Sequence, residues 1–240
     1  MSDSVGIMMA GVNGTGRREG DLSTSPRTAL RQSRKQKALQ TRWRVLEAAR
    51  EEFVAKGYHD TTMAAIAERA GVAVQTVYLI FRTKALLIEE LVGISVMGTS
   101  PDGTSEGDPE ESEWFATALS ETDARRALAA FVDGAIPVYA RAAAISEVGR
   151  AAAKGDPEIA AWWIRSERMR ISAAERVVEA LEEHGMLRQG LTVPTGTAIL
   201  STILSDHTYL EFTVDNGWTD EELGAWLKVA LPALMIRDAT

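Results

Sequence analysis

Between positions 62 and 81 the apolar residues keep helical spacing for only about two turns at a time, twice over, and Gly71 stands where the first run stops. Met63, Ile66 and Ala70 share one face of the first run, 62–70, and Val74, Val77 and Phe81 share one face of the second, 74–81. Gly71 supplies the positive φ that a sharp turn needs. Two short helices around a glycine-containing turn make a helix-turn-helix, whose second helix can enter the major groove of DNA. The pattern points to a DNA-binding regulator rather than an enzyme.

Longer helical patterns flank this unit. Leu39, Trp43, Leu46, Ala49 and Phe53 recur at steps of three and four, and Gly57 ends that helix. Thr61 or Thr62 caps the next helix. Thr83 caps a later one, which has Lys84 in its first turn and Leu87, Leu91 and Ile94 along its apolar side. With Val74, Val77 and Phe81 inward, Gln75, Thr76 and Tyr78 are left for the opposite face.

Ala67, Ala70, Gly71 and Val72, followed by Thr76-Val77-Tyr78 with Phe81, Thr83 and Lys84, resemble the N-terminal domain of the TetR family of ligand-responsive transcriptional regulators. Phe53 and Gly57 fall at the family's usual places, and the resemblance covers roughly residues 42–92. It implies that Lys84 and the Tyr78 hydroxyl meet the DNA backbone. The helix starts at Thr61 or Thr62 and at Thr83 present N–H groups that favour phosphate. Gln75 is a candidate adenine reader through its amide, and Thr76 a candidate contact to a thymine methyl. The structural alternatives are Thr83 as a cap alone, Tyr78 as half-buried packing and Gln75 as solvated surface. The sequence departs from the family at Ala73, which cannot cap, at Leu79 and Ile80 where aromatic or His residues are common, and at Ala85. No DNA contact is therefore carried over to position 80.

Charge is divided along the chain. Residues 1–94 hold 14 Lys/Arg against 10 Asp/Glu, and residues 95–240 hold 12 against 24, beneath an overall net charge of −8. Arg27, Arg31, Arg34, Lys35, Lys37, Arg42 and Arg44 occur between positions 22 and 45 without an acidic residue. Such an arm can neutralise phosphates, and Arg42 and Arg44 stand at the start of the domain.

Four segments are expected: a disordered basic arm, 1–36; the helix-turn-helix domain, 37–94; an acidic mobile loop, 95–113; and a helical effector-binding and dimerisation domain, 114–240. Residues 1–25 are rich in Gly, Ser and Thr, and residues 98–113 carry six acids and two prolines. Helices are expected over 123–153, with Pro137 kinking or dividing the run, over 157–184 up to Gly185, and over 194–214 and 219–236. The last opens on the capping-box sequence Thr219-Asp220-Glu221-Glu222. No strand-like alternation occurs, so the expected fold is all-α.

In the family the last two helices pair with those of a second subunit. Ile199, Ile203, His207 and Leu210, with Leu223, Leu227, Leu231 and Leu234, are the candidate homodimer face. A ligand pocket, by resemblance, lies among the middle helices, with Tyr139, Trp162, Trp163 and Met169 as apolar lining and Arg141, Glu147 and Arg165 as polar anchors.

The chain has no cysteine, and its three histidines, His59, His184 and His207, form no metal-ligand spacing. No nucleophile elbow, P-loop or dinucleotide fingerprint is present, so no catalytic residue, metal or cofactor is expected. No signal sequence or membrane span is read. The expected protein is a cytoplasmic homodimeric repressor on chromosomal DNA, bound to a near-palindromic double-stranded operator and released by an unidentified small-molecule effector. The alternatives are an activator of the same family, or a helical small-molecule-binding protein without sequence-specific DNA binding.

Overall fold

The computed structural model describes residues 26–102 and 104–237, with side chains from residue 34 onward. The chain divides into two units, 1–37 and 38–240. Of the expected arm, residues 1–25 lie outside the described residues, and the chain is helical from Pro26. Arg, Lys, Gln, Ala and Leu are all good helix formers, and proline is tolerated in a first turn.

Helix α1 (Pro26–Asp60) runs regularly as far as Gly57, where φ 77° and ψ 172° break it. Helix α2 (Met63–Ala70) is capped by Thr62, whose hydroxyl accepts from the Ala65 N–H, and closed by Gly71 in the left-handed region. Helix α3 (Val74–Phe81) starts at Ala73 without a side-chain cap. Helix α4 (Lys84–Val96) starts at Thr83, which accepts from the Leu86 N–H. A 3-10 turn, Pro109–Glu111, leads into α5 (Glu113–Ser120), a short helix capped by Ser112.

Helix α6 (Ala124–Ala152) is one continuous helix. Pro137 lies inside it without dividing it, and Trp114 packs against Gly134 so closely that an added Cβ would fall 1.9 Å from the indole. By composition α6 is long and apolar enough to cross a membrane, but its apolar residues are core: Leu128, Val132 and Ile145 are fully buried. Helix α7 (Pro157–Glu183) is capped by Asp156 and stops before Gly185.

The helix expected over 194–214 is broken. Helix α8 (Val193–Ile203) ends at Leu204, Ser205 caps the short α9 (Asp206–Leu210), and a π-type turn, Glu211–Asp215, follows. The break persists because its free carbonyls have partners: Arg170 donates to Ser201 O and Leu204 O at 2.7 and 3.0 Å, and Tyr139 Oη to Leu204 O at 2.7 Å. Helix α10 (Asp220–Met235) opens on the expected capping box. Among the described residues there is no strand, only a single antiparallel bridge between Leu187 and Ile236. The fold is all-α.

Two hydrophobic clusters form within residues 38–240. One gathers α1 to α4 around Phe53, Ile66, Val77 and Leu87, and takes in Ile145, Ala152, Ile159 and Trp162 from α6 and α7. The other joins α5, α6, α7, α8 and α10 around Phe115, Leu128, Leu181, Leu200 and Leu227. Helices α6 and α7 therefore belong to both cores.

Candidate nucleic-acid interface and cavity

Burying Val77 and Phe81 turns the opposite side of α3 outward. Gln75 is exposed, Thr76 half-exposed, Tyr78 51% exposed and Leu79 84% exposed. Ile80 packs partly against the core. Thr62 and Thr83 cap exposed helix starts beside this face.

Three expected contacts are turned inward. The Thr61 side chain is buried and donates to Glu52 O at 3.0 Å and Gly57 O at 2.8 Å, so it pins the end of α1 instead of facing phosphate. Lys84 Nζ donates to Tyr58 O at 2.6 Å, Thr61 O at 2.8 Å and His59 O at 3.4 Å, and lies over the Tyr58 ring. Its burial lowers the pKa of the amine. All three ammonium donors are thus engaged with carbonyls at the C-terminal end of α1, where a cation also complements the helix dipole. Arg42 pairs with Glu90 and stacks over Phe81. Arg44 is exposed.

Sequence reasoning passed over Arg82. It is exposed at the α3–α4 junction, and among the described residues it is the one non-glycine at positive φ, 57°. Nothing in its side chain announces that backbone position. Glu52 was also unmarked. It is buried between Lys56 Nζ at 2.6 Å and Arg69 Nε at 2.7 Å, and those hydrogen bonds hold its carboxyl below the usual carboxylate range. The link ties α2 to α1 and fixes where the helix-turn-helix begins.

Behind this unit lies a cavity of about 340 Å³. Val92, Gly93 and Val96 of α4, with Met97 just beyond its end, form one side of it. Trp114, Phe115, Phe131, Tyr139, Trp162 and Trp163 supply aromatic surface from α5, α6 and α7. Of the expected lining residues, Tyr139, Trp162, Trp163 and Met169 are at the cavity, with Trp162 and Trp163 edge to face at 5.9 Å.

The three expected polar anchors are elsewhere. Arg141 donates to Ser95 O at 3.1 Å and pairs with Glu106 at 3.0 Å beside a smaller cavity. Glu147 is paired with Arg150 along α6, and Arg165 donates to Ala161 O on an exposed face. The polar groups actually at the cavity include Tyr139, Glu167, Arg170 and Asp206. Arg170 holds Glu167 through two hydrogen bonds, at 3.1 and 2.9 Å. Burial pushes the Tyr139 hydroxyl above the ordinary tyrosine range and the Asp206 carboxyl up to about 7.

The residues expected at a dimer face divide between this chain's core and its surface. Leu223, Leu227 and Leu231 are buried in this chain's own core. Leu234 is exposed, His207 is exposed, and Ile199, Ile203 and Leu210 are half-buried. The outward apolar stripe of α10 is Trp226, Val229, Ala233 and Leu234, with Val229 69% exposed. It follows the same helical period from a different starting residue.

Residues 45–91 match the family model described as bacterial regulatory proteins, tetR family. A 58-residue stretch is 36% identical to the uncharacterized HTH-type transcriptional regulator YdgC of Bacillus subtilis, covering 24% of this chain and only 30% of that relative. Among solved structures, NalD, the secondary repressor of the MexAB-OprM multidrug efflux pump in Pseudomonas aeruginosa, aligns with a TM-score of 0.62 and 21% identity over 87% of this chain and 100% of its own. The ketosteroid transcriptional regulator KstR2 of Mycobacterium tuberculosis aligns with a TM-score of 0.57 and 17% identity, over 81% of this chain and 94% of its own. Identities this low establish a shared fold. By sequence, residues 45–91 form a tetR-family helix-turn-helix domain, and the chain as a whole shares the fold of TetR-family regulators.

Proposed function

We propose that this chain is a homodimeric repressor that reads a near-palindromic operator and leaves it when a small molecule fills the cavity. The observation that carries the reading is the double use of α4. Leu87, Ile88 and Leu91 belong to the core beneath the recognition helix, while Val92, Gly93, Val96 and Met97 wall the cavity a turn further on. A ligand that moves that wall must act on the helix-turn-helix core. A dimer released in this way shifts between DNA-fitting and non-fitting states according to the ligand's preference for each.

Gln75, Thr76 and Tyr78 are the base and backbone readers of this proposal, with the helix starts at Thr62 and Thr83 and the cations Arg44 and Arg82 on phosphate. The exposed stripe Trp226, Val229 and Leu234 is the subunit contact, setting two recognition helices about one DNA turn, ~34 Å, apart. NalD is described as a repressor, which supports the sign of regulation assigned here. The protein then acts in the cytoplasm, on chromosomal DNA. The test is selection of duplexes from a random double-stranded pool at near-physiological salt. Recovery of a near-palindrome supports the proposal. A folded dimer that enriches no sequence refutes it and favours a ligand-binding protein without an operator.

A further inference from the structure

The carboxylates at or near the cavity differ in one respect, which is whether another group already satisfies them. Glu167 is held by Arg170 on α7, and Glu110 by Arg176 at 2.5 Å. Glu147, on α6 near Asp206, is held by Arg150. Asp108 caps the 3-10 turn by accepting from the Glu110 N–H at 2.9 Å. Asp206 has no such partner: among the described residues no Lys, Arg or His lies within 4.0 Å of its carboxylate, whose one hydrogen bond comes from its own backbone N–H. Arg170, the cation whose charge acts on Asp206, has its donors on Glu167 and on the carbonyls of Ser201 and Leu204.

The rest of the lining is aromatic and aliphatic. Trp114, Tyr139, Trp162 and Trp163 present indole and phenol surface to the same space. Aromatic faces attract cations, and a desolvated carboxylate without a counter-ion does so more strongly. An anion would meet Asp206 and an Arg170 that is already neutralised. A neutral ligand would leave the carboxylate buried without compensation, which is costly.

We infer that the cavity takes an organic cation, an amine or quaternary ammonium with an apolar body, whose charge sits at Asp206 and whose body lies among Trp114, Tyr139, Trp162 and Trp163. This rests on the cavity being the effector site proposed above. It adds the chemical class of the ligand and the residue that selects it. The burial that holds Asp206 partly protonated near neutral pH has the same origin, and a bound cation would restore the ionised form.

The test measures binding to the intact protein without DNA, by tryptophan fluorescence and calorimetry, using phenyltrimethylammonium, its neutral isostere tert-butylbenzene, and benzenesulfonate. The cation is expected to bind about tenfold more tightly than the isostere, a margin of the size that a desolvated cation contact provides. Asp206→Asn should erase the margin by weakening the cation while tert-butylbenzene binds at least as tightly as to the wild type, and that retained binding also shows that the variant is folded. The inference is overturned if the cation binds no better than the isostere, if benzenesulfonate binds most tightly, or if Asp206→Asn keeps the margin. Operator release is a separate reading. Cation binding at Asp206 without release would refute the regulatory proposal and leave the site standing.

Discussion

The helix-turn-helix region and the helices behind it treat their charged groups in opposite ways. In the first, charges are matched inside the fold: Glu52 sits between Lys56 and Arg69, Arg42 on Glu90, and Lys84 on three carbonyls. In the second, a cavity is kept open and one carboxyl on its wall, Asp206, is left without a counter-ion. The first region is braced so that a few outward side chains are held in register. The second is incomplete until something enters it. In the proposed reading, DNA recognition and response to a ligand fall to different parts of one chain, and α4 belongs to both.

The largest expected effect separates the two faces of α10. Leu227→Ala should destabilise the fold by about 3 kcal/mol, because it empties a fully buried position. Val229→Asp, one helical step away and exposed, should leave the melting temperature of the subunit nearly unchanged and yield monomers in sedimentation. If both variants merely unfold, or Val229→Asp remains dimeric, the outward stripe is not the subunit contact.

Next comes Lys84. Because its ammonium is engaged with the end of α1, Lys84→Ala should cost about 2 kcal/mol in denaturant unfolding, the scale of losing a charged donor from partly buried acceptors. A residue serving only phosphate would instead leave stability intact and reduce the salt dependence of operator binding by about one ion. Gln75→Ala should do the reverse of Lys84→Ala. Stability should hold while operator affinity falls by about 1–2 kcal/mol, with specificity relaxed at one position per half-site.

The remaining contrast is a pH dependence. The folded Asp206 carboxyl, at about 7, binds its proton more tightly than an unfolded one at about 4, so the native state holds the extra proton between those values. Wild-type stability relative to Asp206→Asn should therefore fall as pH rises from about 4 to about 7 and level off above it. Glu52 has the opposite sign. Its carboxyl is held low, so its contribution is present at neutral pH and is lost on acidification below the usual carboxylate range. Unfolding curves of Asp206→Asn and Glu52→Gln across pH 3–8 would show the two slopes in opposition.

The sequence was most readable where structure is local. Gly57, Gly71, the Thr62 and Thr83 caps and the inward Val77 and Phe81 all lie where spacing and cap chemistry put them. What spacing could not supply was the destination of a long polar side chain. Lys84 and Thr61 stand beside helix starts that would suit phosphate, and only the approach of the end of α1 turns them inward. On α10 the apolar period is correct, but two apolar stripes share it, and packing against α6 decides that Leu223, Leu227 and Leu231 are core. Arg170 gave no signal, because one more Arg on a charged helix looks like surface, and Asp206 beside His207 reads as a polar interruption of an apolar helix. Their roles arise at the break between α8 and α9, which the continuous apolar pattern conceals.

The most direct test of the central claim fills the cavity without a ligand. Val96→Phe adds bulk to the wall that α4 contributes, away from the exposed face of α3. Operator affinity of this variant, measured by fluorescence anisotropy on the selected duplex, should fall about tenfold while the melting temperature changes little, a coupling within the range usual for allosteric sites. Unchanged affinity in a folded Val96→Phe protein would mean that the cavity wall and the DNA-reading helices are not coupled through α4, and would contradict the account.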